Sequence, residues 1–188
     1  ELTSTYKQQW GEHRFEGLVG YSYQYNMYEG FNANNTNFMS DYYQYNNLGV
    51  GEYLKDGKAG MGSYKNDDKL IGFFGRVSYG YADKYNLLVS VRREGSSKFG
   101  ANNKWGTFSS ASAGWTISNE KFMESTKGWL NNLKLRFGYG VTGVIPNDPY
   151  LSLTKWELGS SYYYDKGKWY PGLAVTSNPN PDLKWEKS

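Results

Sequence analysis

The chain has 188 residues, no cysteine, a formal net charge of only +3 and a mean hydropathy of −0.77. Without cysteine there is no disulfide framework and no thiolate metal centre, and without a Lys/Arg cluster of the kind that tracks phosphates, nucleic acid is not an expected partner. No apolar run approaches the ~18 residues of a membrane helix.

Taken in chain order, a weak strand over residues 3–10 meets a tight turn at Gly11-Glu12-His13. Residues 14–25 then alternate, with Phe15, Gly17, Val19, Tyr21, Tyr23 and Tyr25 at odd positions against Glu16, Leu18, Gly20, Ser22 and Gln24. Residues 26–69 are polar, rich in Asn, Gly, Asp and Tyr, and show no convincing period, which reads as a long loop. Strands over 71–81 and 85–93 are joined by Ala82-Asp83-Lys84 alone. A loop over 94–105 precedes a strand over 106–117, and the connection 118–132 has room for one short helix, with Glu120 near its start and Phe122, Met123 and Trp129 as apolar anchors. Residues 133–142 alternate again, Leu133, Leu135, Phe137, Tyr139 and Val141 against Lys134, Arg136, Gly138 and Gly140. A third long loop covers 143–182, and a last strand starts near Leu183.

Period-two alternation gives each strand one oily and one wet face. The segments run to the ~9–11 residues that a tilted strand needs to cross a bilayer, longer than the ~5–6 common in soluble sheets. Short and long connections alternate, as they do where turns lie on one side of a membrane and loops on the other. The expected fold is therefore all-β: a partial up-and-down antiparallel transmembrane β-barrel, about six to seven strands of a larger one. Low overall hydropathy fits, since only alternate residues need be apolar. Val77, Leu87, Val89, Val91, Leu135 and Phe137 are expected to face outer-membrane lipid. Arg76, Arg92, Lys134 and Arg136 are then the lumen-facing candidates, because an arginine at the lipid midplane costs about 2–4 kcal/mol. Tyr79, Tyr81 and Tyr85 flank a short turn at the level of an aromatic girdle, with plain sheet propensity as the alternative.

Several stretches resemble one family. They are Phe74-Gly75-Arg76-Val77-Ser78-Tyr79, Asp83-Lys84-Tyr85, Val91-Arg92-Arg93-Glu94-Gly95-Ser96-Ser97-Lys98-Phe99-Gly100, Asn103-Lys104-Trp105-Gly106 and Phe108-Ser109-Ser110-Ala111-Ser112-Ala113-Gly114-Trp115. Leu133 through Gly143 and Asn180-Pro181-Asp182-Leu183-Lys184-Trp185-Glu186 continue the match. In order and spacing the chain resembles the SusC/RagA-type TonB-dependent outer-membrane transporters, over most of 71–186 and more loosely over 15–21. It departs in having Glu94 for the family's usual Asp, Ser109 for Pro, and Val144 for Asn after Thr142-Gly143. The resemblance implies a barrel of roughly 22 strands of which this chain is a piece, without the plug domain or the TonB-contacting segment. It implies import of oligosaccharides or peptides across the bacterial outer membrane, driven by TonB through the missing N-terminal part, with a SusD-like surface lipoprotein as lid.

Residues that carry catalysis are not evident, so a non-enzyme is expected. His13 is the sole histidine and sits in a turn-like setting, where solvation is the simple reading, and no cofactor or metal site is expected. Gly138-Tyr139-Gly140-Val141-Thr142-Gly143 matches a dinucleotide fingerprint by letters, but Pro146 and Pro149 block the helix that should follow. The outer loops do carry aromatics: Tyr42, Tyr43, Tyr45 and Tyr53 in the first, Trp156, Tyr162, Tyr163, Tyr164, Trp169 and Tyr170 in the third. Flat rings with polar tips suit stacking on sugars or a partner's hot spots, and packing of the loops on themselves is the alternative. Tyr42, Tyr43, Tyr45, Trp156, Tyr162, Tyr163, Tyr164 and Trp169 are the substrate- or lid-contact candidates. A soluble β-sandwich carbohydrate-binding module and a passive porin are the competing readings.

Overall fold

A computed structural model describes residues 1–188, apart from the side chains of Ser160 and Ser161. Ten strands form: β1 (Leu2–Trp10), β2 (His13–Asn34), β3 (Gly60–Tyr81), β4 (Tyr85–Ser96), β5 (Trp105–Thr116), β6 (Lys134–Gly140), β7 (Gly143–Val144), β8 (Lys155–Asp165), β9 (Lys168–Ser177) and β10 (Glu186–Lys187). β1 to β6 make one sheet in sequential order, while β7 with β10 and β8 with β9 form two-stranded ribbons. Residues 1–25 with 68–188 make one compact unit and residues 26–67 a second.

Register shows why parity matters. Across three neighbouring pairs, Val77 opposes Val89, Val89 opposes Ala111 and Ala111 opposes Tyr139, while Tyr79, Leu87, Ala113 and Phe137 form the next row. One residue away, the rows read Arg76, Ser90, Ser110, Gly140 and Ser78, Leu88, Ser112, Gly138. One face is thus aliphatic and aromatic, and its large side chains Val77, Leu87, Val89, Val91, Leu135 and Phe137 are exposed. The other is mostly small and polar, with Ser90 and Ser110 hydroxyls 2.7 Å apart. An exposed apolar face of this extent has its natural complement in lipid tails.

Aromatic rows bracket that face. At the short-turn end Trp10 stacks on His13, His13 lies 4.8 Å from Tyr81, and Tyr81, Tyr85 and Trp115 continue in near-parallel stacks. At the other end Tyr21, Phe73 and Trp105 are in contact, with the Arg93 guanidinium over Trp105. Phe73 and Tyr81 are separated by about 26 Å along the strand at ~3.3 Å per residue, which a tilt of ~40° reduces to about 20 Å of height, within the ~25 Å apolar band of a membrane barrel. His13 is therefore not simply solvated. It is half-buried in the inner row, with Nδ1 2.6 Å from the Tyr79 hydroxyl.

The structure corrects the strand lengths. β2 and β3 have 22 residues each, about 70 Å of chain at ~3.3 Å per residue and about twice what a bilayer needs. The expected loop over 26–69 thus shrinks to residues 35–59, with 3-10 helices at Asp41–Val50 and Glu52–Leu54. Its asparagines act as hydrogen-bonding staples: Asn35 Nδ2 donates to the carbonyls of Leu48 and Gly51, and Asn37 Nδ2 to Glu52. The expected short helix after β5 is two 3-10 helices, Ile117–Asn119 and Lys121–Thr126. The expected loop 143–182 contains the β8–β9 hairpin, and the final strand is limited to Glu186–Lys187.

The short turns are stitched together. Ala82 N–H donates to the Glu12 carbonyl, Arg14 pairs with Asp83 at 2.6 Å, and Asn119 Nδ2 donates to the Asp83 carbonyl. Glu120 closes the set, accepting from the Tyr85 hydroxyl at 2.6 Å, Lys84 Nζ at 2.9 Å and Trp115 Nε1 at 3.1 Å. These donors, Tyr85 first, hold its carboxyl well down, at about 2, and the same pairing raises the Lys84 ammonium above its ordinary value. A depressed carboxylate stabilises the turn at pH above its ordinary 4.5 and loses that contribution as pH falls through about 2. Lys84 contributes below its ordinary 10.5 and loses its share as pH rises through the raised value. Hydrogen exchange over 117–126, with each rate divided by the intrinsic exchange rate at that pH, should therefore be unchanged between neutral and mildly acidic pH in the native protein. By the same corrected rates it should be faster at both in Glu120→Gln, and equal corrected rates for the two proteins would refute this role for Glu120.

Candidate binding arms and the knot that holds them

The aromatic hairpin follows from a local rule. Asp165 pairs with Lys168, leaving the two-residue turn Lys166-Gly167 with φ of 46° and 84°. Positive φ at both positions is the primed turn whose twist suits two antiparallel strands, and glycine supplies the second at no steric cost. Leu158 opposes Leu173 and Ser161 opposes Gly172, so Gly159-Ser160 is a two-residue insertion, made possible by φ of 88° at Gly159.

Because the insertion is even, one face survives it. Tyr164 opposes Trp169, Tyr162 opposes Pro171, Leu158 opposes Leu173 and Trp156 opposes Val175. That face is wholly apolar or aromatic, and Trp156 is 62% and Trp169 68% exposed. The opposite face carries Tyr163 stacked on Tyr170, with Glu157 and Ala174 beyond the insertion. Of the residues singled out from sequence, Trp156, Tyr162, Tyr164 and Trp169 share one surface, and Tyr163 lies on the other side of the ribbon. Leu158, Pro171, Leu173 and Val175 complete the surface and were not anticipated. Lys166-Gly167 between two Tyr/Trp runs is the signal that could have found them.

In the second unit, Tyr42, Tyr43 and Tyr45 lie in the 3-10 segment, which Ser40 caps by accepting from Tyr42 N–H. Tyr42 and Tyr43 meet edge to face at 5.4 Å, and Tyr42 and Tyr45 are largely exposed. On the arm below, Tyr64 packs over Gly30, and Lys65 pairs with Glu29 at 3.3 Å.

The chain on either side of the β8–β9 hairpin is tied into a small apolar knot. Phe99, Phe108 and Trp185 are only 1%, 8% and 6% exposed, and Leu70, Val141, Ile145 and Leu183 pack around them. Trp185 Nε1 donates to the Lys104 carbonyl at 3.1 Å. Gly143 and Gly106 lie so close to the Phe108 ring that a Cβ at either would overlap it. Lys98 finishes the clamp: its ammonium donates to the carbonyls of Pro146 at 3.2 Å and Asn147 at 2.9 Å, with Asp68 3.7 Å away. At the hairpin's base, Asn180 N–H donates to the Ser152 carbonyl. The segment after β6 is therefore pinned to the sheet before and after the hairpin.

Of the four lumen-facing candidates, all take the even-numbered, polar face. Arg92 pairs with Glu94, lies 5.2 Å from the Phe74 ring and reaches the Ser22 hydroxyl at 3.4 Å. Arg76 opposes Ser90, Arg136 opposes Gly114 and Lys134 opposes Thr116. Gly138 and Gly140 oppose Ser112 and Ser110 as ordinary strand residues, with no helix after them.

A sequential antiparallel sheet with a lipid-type face, bracketing aromatic rows and a mostly small, polar reverse is part of a transmembrane β-barrel. The chain belongs to the TonB dependent receptor-like β-barrel family, whose model matches residues 2–188, and within it to the SusC/RagA type. It is 36% identical over 184 residues to TonB-dependent receptor P3 of Formosa agariphila, covering 98% of this chain and 18% of that protein. It is 34% identical over 128 residues to TonB-dependent receptor SusC of Bacteroides thetaiotaomicron, covering 67% of this chain and 13% of SusC. Among solved structures, the RagAB peptide importer in the closed-closed state superposes with a TM-score of 0.79 at 29% identity, covering 98% of this chain and 20% of that one. The chain thus spans less than one fifth of the length of the curated relatives it matches.

Proposed function

We propose that this chain is wall and outer arms of an outer-membrane TonB-dependent importer of oligosaccharides or peptides that works with a surface lipoprotein. The observation that carries this reading is the apolar face of the β8–β9 hairpin, held on the knot at the sheet end opposite the short turns. A two-stranded ribbon is marginal in water by itself, and a contiguous exposed apolar face marks a binding surface. In this reading the polar face lines the lumen, with Arg76, Arg92, Lys134 and Arg136 toward substrate path or plug. Tyr42, Tyr43 and Tyr45 contribute further contacts from the first arm. The chain breaks no bonds; TonB coupling belongs to parts of the protein outside these residues. The similarity to SusC and to a RagAB peptide importer supports the import class.

Replacing Trp156, Tyr162, Tyr164 and Trp169 together with alanine in the full-length transporter is expected to impair lipoprotein association or uptake, while heat-modifiable gel mobility shows normal barrel assembly. Replacing Tyr163 and Tyr170, on the other face, should do much less. Unchanged uptake and complex formation in the quadruple variant would refute this assignment.

A further inference from the structure

The connection between β5 and β6 is long for a short-turn end, and its residues 117–133 close on themselves: Ser118 N–H donates to the Leu133 carbonyl, and Leu130 N–H to Thr126. Tyr85 and Trp115 belong to the inner aromatic row of the lipid-type face, and both of their polar tips end on Glu120. The connection is therefore hung from the outside of the wall and not from its polar interior. Beyond Glu120 it presents Phe122 at 65% exposure and Trp129 at 76%, with Lys121 and Lys127 between and beside them against a single Glu124.

We propose that this connection is an interfacial membrane anchor, with Phe122 and Trp129 seated among the acyl chains and head groups of the adjacent leaflet and Lys121 and Lys127 on its phospholipid phosphates. The segment is tied through Glu120 to the aromatic row of the lipid-type face, so lipid is the occupant that requires no break in environment. Tryptophan and phenylalanine beside lysines match the depth profile of a bilayer interface, where rings sit at the head-group boundary and ammonium groups reach phosphate. Glu120, fixed by three donors, sets the angle at which the segment leaves the wall.

The test uses the full-length transporter in a cysteine-free background, reconstituted in phosphatidylglycerol-containing vesicles, with a bimane label at Phe122→Cys and, separately, at Trp129→Cys. Each site is thus probed with the other ring in place, and Glu12→Cys on the neighbouring turn is the reference. Lipids brominated in the upper acyl chain should remove most of the emission at 122 and 129 and leave the reference unchanged, whereas aqueous iodide should quench only the reference. Quenching of 122 and 129 by iodide alone would mean the segment is solvated and would overturn the proposal. Protection from both quenchers would mean that protein covers it and would overturn the proposal equally.

Discussion

Val89→Arg in the full-length transporter is expected to prevent formation of the folded, heat-modifiable barrel, while Ser90→Lys one residue along assembles. Val89 sits mid-strand between Val77 and Ala111 on the lipid-type face, and Ser90 lies between Arg76 and Ser110 on the polar one. An arginine facing the bilayer midplane costs about 2–4 kcal/mol, a large part of the marginal stability of a typical domain. A lysine on the polar face meets water, and its like charge with Arg76 across the pair, screened there, costs far less than an arginine in lipid. Gel mobility and membrane insertion of the two variants decide the matter, and equal assembly would reverse or abolish the assignment of faces.

The second large effect is expected at the knot. Trp185→Ala removes the ring that Phe99 and Phe108 pack against, 4.7 Å and 5.1 Å away between centroids. Truncating a buried aromatic costs about 3–5 kcal/mol. The barrel strands are paired independently of it, so the loss should appear locally, as protease cleavage within 145–182 in an otherwise assembled protein. Gly143→Val should reproduce the phenotype by the opposite route, since its side chain overlaps Phe108 and forces the segment off the sheet. Resistance to protease in both variants would show that the hairpin is held by something else.

Sheet order and parity were legible in residues 71–93 and 133–142 because two unlike environments imposed two unlike faces on the same strand. Where the strands leave the bilayer that contrast ends. Asn26 to Asn34 and Gly60 to Leu70 are strand as much as their continuations are, yet water on both faces leaves no hydrophobic period to read. The hairpin was hidden differently: Gly159-Ser160 breaks the run, and Tyr163 and Tyr170 put rings on the second face as well. The knot was out of reach of spacing altogether. Trp185 bonds to Lys104 from 81 residues away, and although both lie in stretches that marked the family, nothing in either stretch says that they touch. The arginines and Lys134 could be assigned a face, whereas which loop aromatics share a surface depended on the insertion.

The even length of that insertion has a consequence for how the hairpin can change. Adding or deleting one residue between Leu158 and Tyr162 would rotate Tyr162 and Tyr164 to the side now held by Tyr163, splitting the ring surface from its aliphatic half. Two residues at once leave it whole. A single-codon slip here therefore turns the ring surface over unless a further bulge absorbs it, as the one-residue irregularity at Thr176 is absorbed at the hairpin's base.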